Sequence, residues 1–186
     1  MSATDWDKRY ETDHYVFGTD PSPFLEACAP RLRPGQKGLA VADGEGRNGV
    51  WMARQGVDVL ALDWSEAGLA KARRLAKTWG VALRTECADM LAWAWPEGAF
   101  DVVCAMNFHP DPADQAFLFK AMARSLTPGG WLIFEGIHKS TRDHHDPLTL
   151  YDAPLMRALC ADLIIETLSE RDDGAKRRLQ MLARRG

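Results

Sequence analysis

The sequence predicts an α/β fold: a mostly parallel, seven-stranded sheet with helices on both faces and an antiparallel hairpin at its C-terminal end. Three observations carry this. Five short apolar runs alternate with segments of helical periodicity from Gly38 to Phe134, the pattern of a parallel sheet covered by crossover helices. Those runs are apolar throughout rather than alternating, as strands buried on both faces should be. Finally, Asp172-Asp173-Gly174 separates two strand-like runs near the end of the chain, and an Asp-Gly turn between strands marks a hairpin.

The elements follow in order. Residues 1–23 are polar with scattered aromatics (Trp6, Tyr10, Tyr15, Phe17), and Gly18, Pro21 and Pro23 argue against a long element there. Phe24–Leu32 reads as a helix stopped by Pro34-Gly35. Gly38–Ala42 is the first strand, Asn48–Gln55 a helix with Gly56 as its stop, and Val57–Leu62 the second strand. Ser65 caps the next helix, with Glu66 in its first turn. Leu69, Ala72, Leu75 and Ala76 form its apolar face, and it ends at Gly80. Val81–Cys87 is the third strand and Phe100–Met106 the fourth. Pro112–Leu126 is a helix with Phe117, Ala121 and Met122 turned inward. Thr127-Pro128-Gly129-Gly130 is a sharp turn, and Trp131–Phe134 the fifth strand. His138–Asp146 is polar and Ala153–Leu159 helical. Leu163–Thr167 and Arg178–Leu182 are the hairpin strands.

Composition narrows the function. A chain of 186 residues with 46% hydrophobic and 26% charged residues fits a single globular domain. A net charge of −3 gives no general attraction to nucleic acid or anionic lipid. No apolar run approaches the ~20 residues that span a bilayer, and the first residues lack the charged and apolar regions of a signal peptide. Cys28, Cys87, Cys104 and Cys160 form no C-x-x-C pair or zinc spacing. They read as small buried apolar residues of a cytoplasmic protein. The basic tail (Lys176, Arg177, Arg178, Arg184, Arg185) is short and set in an acidic chain, so nucleic acid is not the expected substrate. Asp143-His144-His145-Asp146 is an open polar run, and no metal site is expected from adjacent histidines there.

Open α/β sheets bind ligands at the carboxyl ends of their strands. After the first strand comes Asp43-Gly44-Glu45-Gly46-Arg47-Asn48-Gly49, a glycine turn leading into a helix. Such a turn presents backbone N–H groups and the positive end of a helix dipole. After the second strand come Asp63, suited to accept hydrogen bonds from two ribose hydroxyls, and Trp64. After the third come Asp89, able to accept from an adenine amino group, and Met90; Met90 and Trp64 would wall the base. Trp64 is equally well explained as core. Asn107, Phe108 and His109 follow the fourth strand; Glu135 and His138 follow the fifth. The G-x-G-x-x-G of Gly44, Gly46 and Gly49 also fits a nicotinamide cofactor. Against a dehydrogenase stand the lack of a second domain and the terminal hairpin.

The turn Gly44-Glu45-Gly46-Arg47-Asn48, Asp63, Asp89 with Met90, and Leu126-Thr127-Pro128-Gly129-Gly130 resemble the motifs of the class I S-adenosylmethionine-dependent methyltransferases. The opening Trp6-Asp7-Lys8-Arg9-Tyr10 and Tyr15-Val16-Phe17-Gly18 are similar to the small bacterial branch near the tellurite-resistance and thiopurine-type enzymes. The resemblance spans nearly the whole chain. It implies a three-layer Rossmann-like sandwich, a single domain over residues 1–186, and an N-terminal segment (1–23) covering the cofactor. It also implies S-adenosylmethionine as cofactor, S-adenosylhomocysteine as product, and a cofactor site formed by Tyr15, Ala42, Asp43, Gly44, Gly46, Asp63, Trp64, Asp89, Met90 and Asn107. Two positions depart from the family pattern: Ala40 replaces its acid and Ala42 its first glycine. If residue 42 adopts positive φ, the alanine is costly.

The expected reaction is in-line methyl transfer to a small-molecule acceptor, in which the protein mainly holds the reactants at attack distance. A base is needed only where the nucleophile must lose a proton. His109 is the candidate for that role, with His138 behind it. The alternatives are a non-catalytic S-adenosylmethionine-binding protein and an NAD-dependent oxidoreductase. The expected assembly is a monomer or homodimer.

Overall fold

The computed structural model describes residues 3–140, 150–172, 174 and 177–186. It carries a seven-stranded mixed sheet, mostly parallel, with antiparallel C-terminal strands. The chain divides into two compact units, Met1–Ala94 and Trp95–Gly186.

The first unit holds α1 (Ala3–Tyr10), α2 (Pro23–Ala27), β1 (Lys37–Val41), α3 (Arg47–Arg54), β2 (Asp58–Asp63), α4 (Glu66–Trp79) and β3 (Arg84–Cys87). Its strands run in the order β3-β2-β1, all parallel. Leu39, Val41, Val59, Leu62, Leu69 and Ala72 are buried at its centre. Ser65 caps α4 by accepting from Gly68 N, and Gly80 closes it in the left-handed conformation, as the sequence predicts.

Three details of this unit differ from the sequence reading. The N-terminal segment contains an eight-residue helix, α1, ahead of the Gly18–Pro23 breakers. Trp6 and Tyr10, one turn apart, stack at 5.4 Å between ring centroids. The single helix expected over Phe24–Leu32 is instead α2 followed by a 3₁₀ turn, Ala29–Arg31. Pro30 supplies no N–H to continue an α-helix. Finally, β3 is only four residues long and mostly exposed. Cys87, at its end, is exposed while Cys28, Cys104 and Cys160 are buried, so the expectation of four buried cysteines fails at this edge strand.

The second unit holds β4 (Phe100–Met106), α5 (Pro112–Ser125), β5 (Leu126–Ile137), α6 (Ala153–Leu159), β6 (Leu163–Asp172) and β7 (Arg177–Arg185). The order is β4-β5-β7-β6. β4 and β5 are parallel, and β7 runs antiparallel to both β5 and β6. The predicted turn at Thr127–Gly130 lies within β5 as a bulge. Phe100 pairs with Leu126, but Val102 pairs with Trp131, and Gly129 takes φ 77° to accommodate the extra residues. Phe117, expected inward on α5, is half exposed, whereas Leu118, Phe119 and Met122 are buried.

The core of this unit is aromatic. Tyr151 is fully buried. Its ring meets Phe134 edge-on at 4.9 Å, and its hydroxyl donates to the Phe108 carbonyl at 2.9 Å. A Cβ at Gly136 would lie 2.5 Å from the Tyr151 ring, so only glycine lets that ring reach the strand.

Candidate cofactor site

The glycine turn is built around three carboxylates. Asp43 is buried, and both its oxygens accept from Gly49 N at 3.1 Å. It thereby satisfies a first-turn donor of α3 that has no partner within the helix. A Cβ on Gly49 would lie 2.3 Å from this carboxylate and 3.3 Å from Ala40 Cβ. Asp43 therefore fills the space beside Ala40, where the family pattern has its acid. Asp63, also buried, accepts from Gly44 N (2.8 Å) and Ser65 N (2.9 Å), which ties the end of β2 to the turn. Glu45 pairs with Lys71 of α4 at 2.7 Å, and both side chains are 3% exposed or less.

Burial dominates the titration of these groups. It pushes Asp43 up to about 7, against the lowering pull of the Gly49 N–H, with Asp63 adding like-charge repulsion. Asp63 is raised for the same first reason, opposed by the hydrogen bonds from Ser65 and Gly44. The hydroxyl of Tyr10 is raised by burial and then by Asp63 and Glu45. That ring sits over the turn: a Cβ on Gly44 would be 2.6 Å from the Tyr10 hydroxyl.

The turn's N–H groups are largely engaged within the protein. Gly44 N goes to Asp63, Gly49 N to Asp43, Gly46 N to the Asp43 carbonyl (3.0 Å) and Asp43 N to the Leu62 carbonyl (3.4 Å). A cradle of open donors for an anion, as the sequence implied, is not what these four groups provide. Lys71 neutralises Glu45, while Asp43 and Asp63 are met by the N–H groups of Gly49, Gly44 and Ser65 and the turn stays acidic. That chemistry repels a pyrophosphate and fits a cation, as in a sulfonium that also bears an ammonium group.

Residues 39–130 match the family model described as a methyltransferase domain. The chain belongs to the class I S-adenosylmethionine-dependent methyltransferases. S-adenosylmethionine is its cofactor. The 2-methyl-6-phytyl-1,4-hydroquinone methyltransferase of Synechocystis is 30% identical over 129 residues, 69% of this chain and 40% of that protein. A ubiquinone biosynthesis O-methyltransferase of Pectobacterium carotovorum is 34% identical over 110 residues, 58% of this chain and 46% of that protein. The chain thus spans under half the length of these two relatives. The TehB structure from Haemophilus influenzae superposes with a TM-score of 0.75 at 19% identity, covering 97% of this chain and 66% of that one.

The other expected residues of this methyltransferase fall as follows. Ala42 adopts φ 51°, so the alanine occupies a left-handed position at a cost of about 1–2 kcal/mol. Gly46 precedes α3 at φ 88°. Trp64 is half-buried and Met90 buried, at the ends of the paired strands β2 and β3. Asp89 is exposed, and its carboxylate accepts from Leu91 N at 2.9 Å. Tyr15 donates to the Lys71 carbonyl at 3.1 Å and packs against Val50 and Leu75.

In the second unit, Asn107 takes φ 53°, and its side-chain oxygen accepts from Arg178 at 2.8 Å. His109 is half-buried with its ring tilted against Tyr151 at 6.4 Å. Among the described residues no cluster of metal ligands occurs, and no helix is long and apolar enough to cross a membrane. The Asp143–Asp146 run lies outside the described residues.

Sequence reasoning missed how the N-terminal segment is fastened. Asp7 accepts from Ser65 Oγ (2.6 Å) and Ala67 N (3.1 Å). Lys71 Nζ donates to Glu45, to Thr12 Oγ1 (3.1 Å) and to the His14 carbonyl (2.7 Å). Phe17 N reaches the other Glu45 oxygen at 3.3 Å. A signal for this was present: Lys71 falls on the buried stripe of α4, with Gly68, Ala72 and Leu75.

Proposed function

We propose that this chain transfers the methyl group of S-adenosylmethionine to a small-molecule acceptor by in-line displacement, acting as one domain. The observation that carries the reading is the desolvated acidic turn: Asp43 and Asp63 buried beside each other's charge, with the turn's donors engaged internally. When bound, the sulfonium supplies an activated methyl group. The chain's own contribution is to hold it. Asp63 would accept from the ribose, and Trp64 and Met90 would flank the base. Asp89 would meet the adenine edge, while Tyr10 and Tyr15 close the N-terminal segment over the turn. Ala42, Gly44 and Gly46 bring the backbone close to the ligand, and Asn107 marks the end of β4. His109 is the sequence's candidate proton acceptor.

The second reading, a binding protein without catalysis, rests on Ala42. Its positive φ strains the turn where the family pattern has glycine. Incubation with methyl-labelled cofactor and a panel of hydroxyl, thiol and amine acceptors separates the two. Transfer of label supports the first. Tight cofactor binding with no transfer across the panel supports the second.

A further inference from the structure

Apart from the cofactor turn, the first unit carries a cavity of about 400 Å³ between α4 and the segment that follows α1. One wall is a face of α4: Ala67, Ala70 and Arg74, spaced three and four residues apart. The two alanines leave that wall hollow. The other wall holds Glu11 and Asp13. Thr12, between them, accepts from the buried Lys71 at 3.1 Å, which fixes the segment along α4. Tyr10, whose hydroxyl sits against Gly44, also lines the cavity.

The cavity gathers opposite charges without pairing them. Glu11, Asp13 and Arg74 are exposed, and among the described residues none of their side chains has a hydrogen-bond or ion-pair partner. The positions three and four away from Arg74 are Ala70, Lys71, Lys77 and Thr78, so no carboxylate of the helix neutralises it. Its neighbour Arg73, by contrast, is paired with Glu66. A guanidinium and two carboxylates that line one cavity yet stay apart complement a ligand charged at both ends. They leave one negative charge over, so the matching ligand carries one carboxylate and two cationic groups. The volume lies within the range of roughly 300–1,000 Å³ typical of small-molecule sites.

We propose that this cavity binds a free basic α-amino acid of the lysine type. The carboxylate of the ligand meets the planar fork of Arg74. Its two ammonium groups meet Glu11 and Asp13. Its methylene chain lies over Ala67, Ala70 and the Tyr10 ring, where it leaves water. An amino acid with an apolar side chain lacks the second cation, and a diamine lacks the anion. The site does not rest on the methyltransferase reading, and its occupancy is read without turnover.

The test is an amide NMR titration with lysine, norleucine and cadaverine at matched ionic strength. Lysine should shift the amides of residues 11–13 and 67–74 saturably in the millimolar range. Norleucine, which lacks the ε-ammonium, and cadaverine, which lacks the carboxylate, should each bind about fivefold more weakly, the scale of one exposed ion pair. Arg74→Gln should abolish the preference for lysine over cadaverine. The double variant Glu11→Gln/Asp13→Asn should abolish the preference for lysine over norleucine. Ala70→Leu, which fills the hollow, should remove binding of all three. These positions are exposed or half-buried, so each variant should keep the unfolding midpoint of wild type. The proposal is overturned by no saturable response to millimolar lysine, by equal affinity for the three probes, or by shifts confined to other residues. It is also overturned by preferences that survive the charge variants, or by lysine binding that survives a folded Ala70→Leu. Failure of wild type to bind S-adenosylhomocysteine would overturn the methyltransferase reading and leave this proposal standing.

Discussion

The glycine turn of the first unit and the strand-edge cluster of the second are both polar and partly buried, yet they are assembled in opposite ways. The turn draws Asp43, Glu45 and the α3 start from seven consecutive residues, and Asp63 from the next strand. The cluster gathers Asn107, Glu135, His138, Ser140, Glu170 and Arg177 to Gln180 from four separate segments, aligned by the registers of β5, β6 and β7. The turn is acidic with one buried cation holding it shut. The cluster balances its charges: Glu135 is met by Gln180 at 2.8 Å and Arg178 at 3.5 Å, and Glu170 by His138 and Arg177. A site for a cationic cofactor wants uncompensated carboxylates.

The largest effect that could break this contrast concerns the buried cation. Lys71→Met leaves buried Glu45 without its cation, with only the Phe17 N–H to meet it, and should destabilise the protein by about 3–5 kcal/mol, read from urea unfolding. The double variant Lys71→Met/Glu45→Leu should recover most of it. A single-variant loss below about 1 kcal/mol would mean the pair does not fasten the N-terminal segment. Next comes Asp63→Ala. It should weaken S-adenosylmethionine binding by about 1–3 kcal/mol through lost hydrogen bonds to a charged group, measured by calorimetry. Unchanged affinity would contradict the ribose role. Ala42→Gly should relieve the left-handed strain, less glycine's entropic cost, and raise stability by about 1 kcal/mol. A loss of stability would show that the alanine methyl packs usefully.

The last test is a pH slope, the hardest of these effects to read because neighbouring groups titrate with it. Asp43 is raised in the folded state to about 7. A carboxyl whose folded value exceeds its unfolded one contributes stability that is fully present below the unfolded value near 3.8 and lost as pH rises through about 7. Asp43→Asn should flatten that decline between about pH 4 and pH 7 in unfolding curves. An identical slope would assign the decline to other groups.

What was legible in the sequence follows from locality. The alternation of apolar runs and helices, the Ser65 cap, β4 at Phe100–Met106, α6 at Ala153–Leu159 and the terminal antiparallel pair are set by short-range pattern and turn chemistry. So is the placement of Asp43 and the glycines, because a turn between strand and helix is contiguous, and of Asp63, because it ends an apolar strand run. The α1 helix escaped notice because Asp7, which fastens it, pairs with Ser65, 58 residues away. Pro30 split a helix that periodicity alone would continue. The backbone sign at Ala42 depends on how the turn closes onto Asp63, which no residue pattern states. The sequence offered His138 only as a base candidate behind His109; its partner Glu170 was not legible because it reaches His138 only through strand pairing.

The central claim is that the acidic turn suits a cationic, phosphate-free nucleoside cofactor. Calorimetric titration of the wild-type protein with S-adenosylmethionine and, separately, with NAD tests it most directly. Saturable one-to-one binding of S-adenosylmethionine with no response to NAD is the predicted result. NAD binding with no response to S-adenosylmethionine would contradict it.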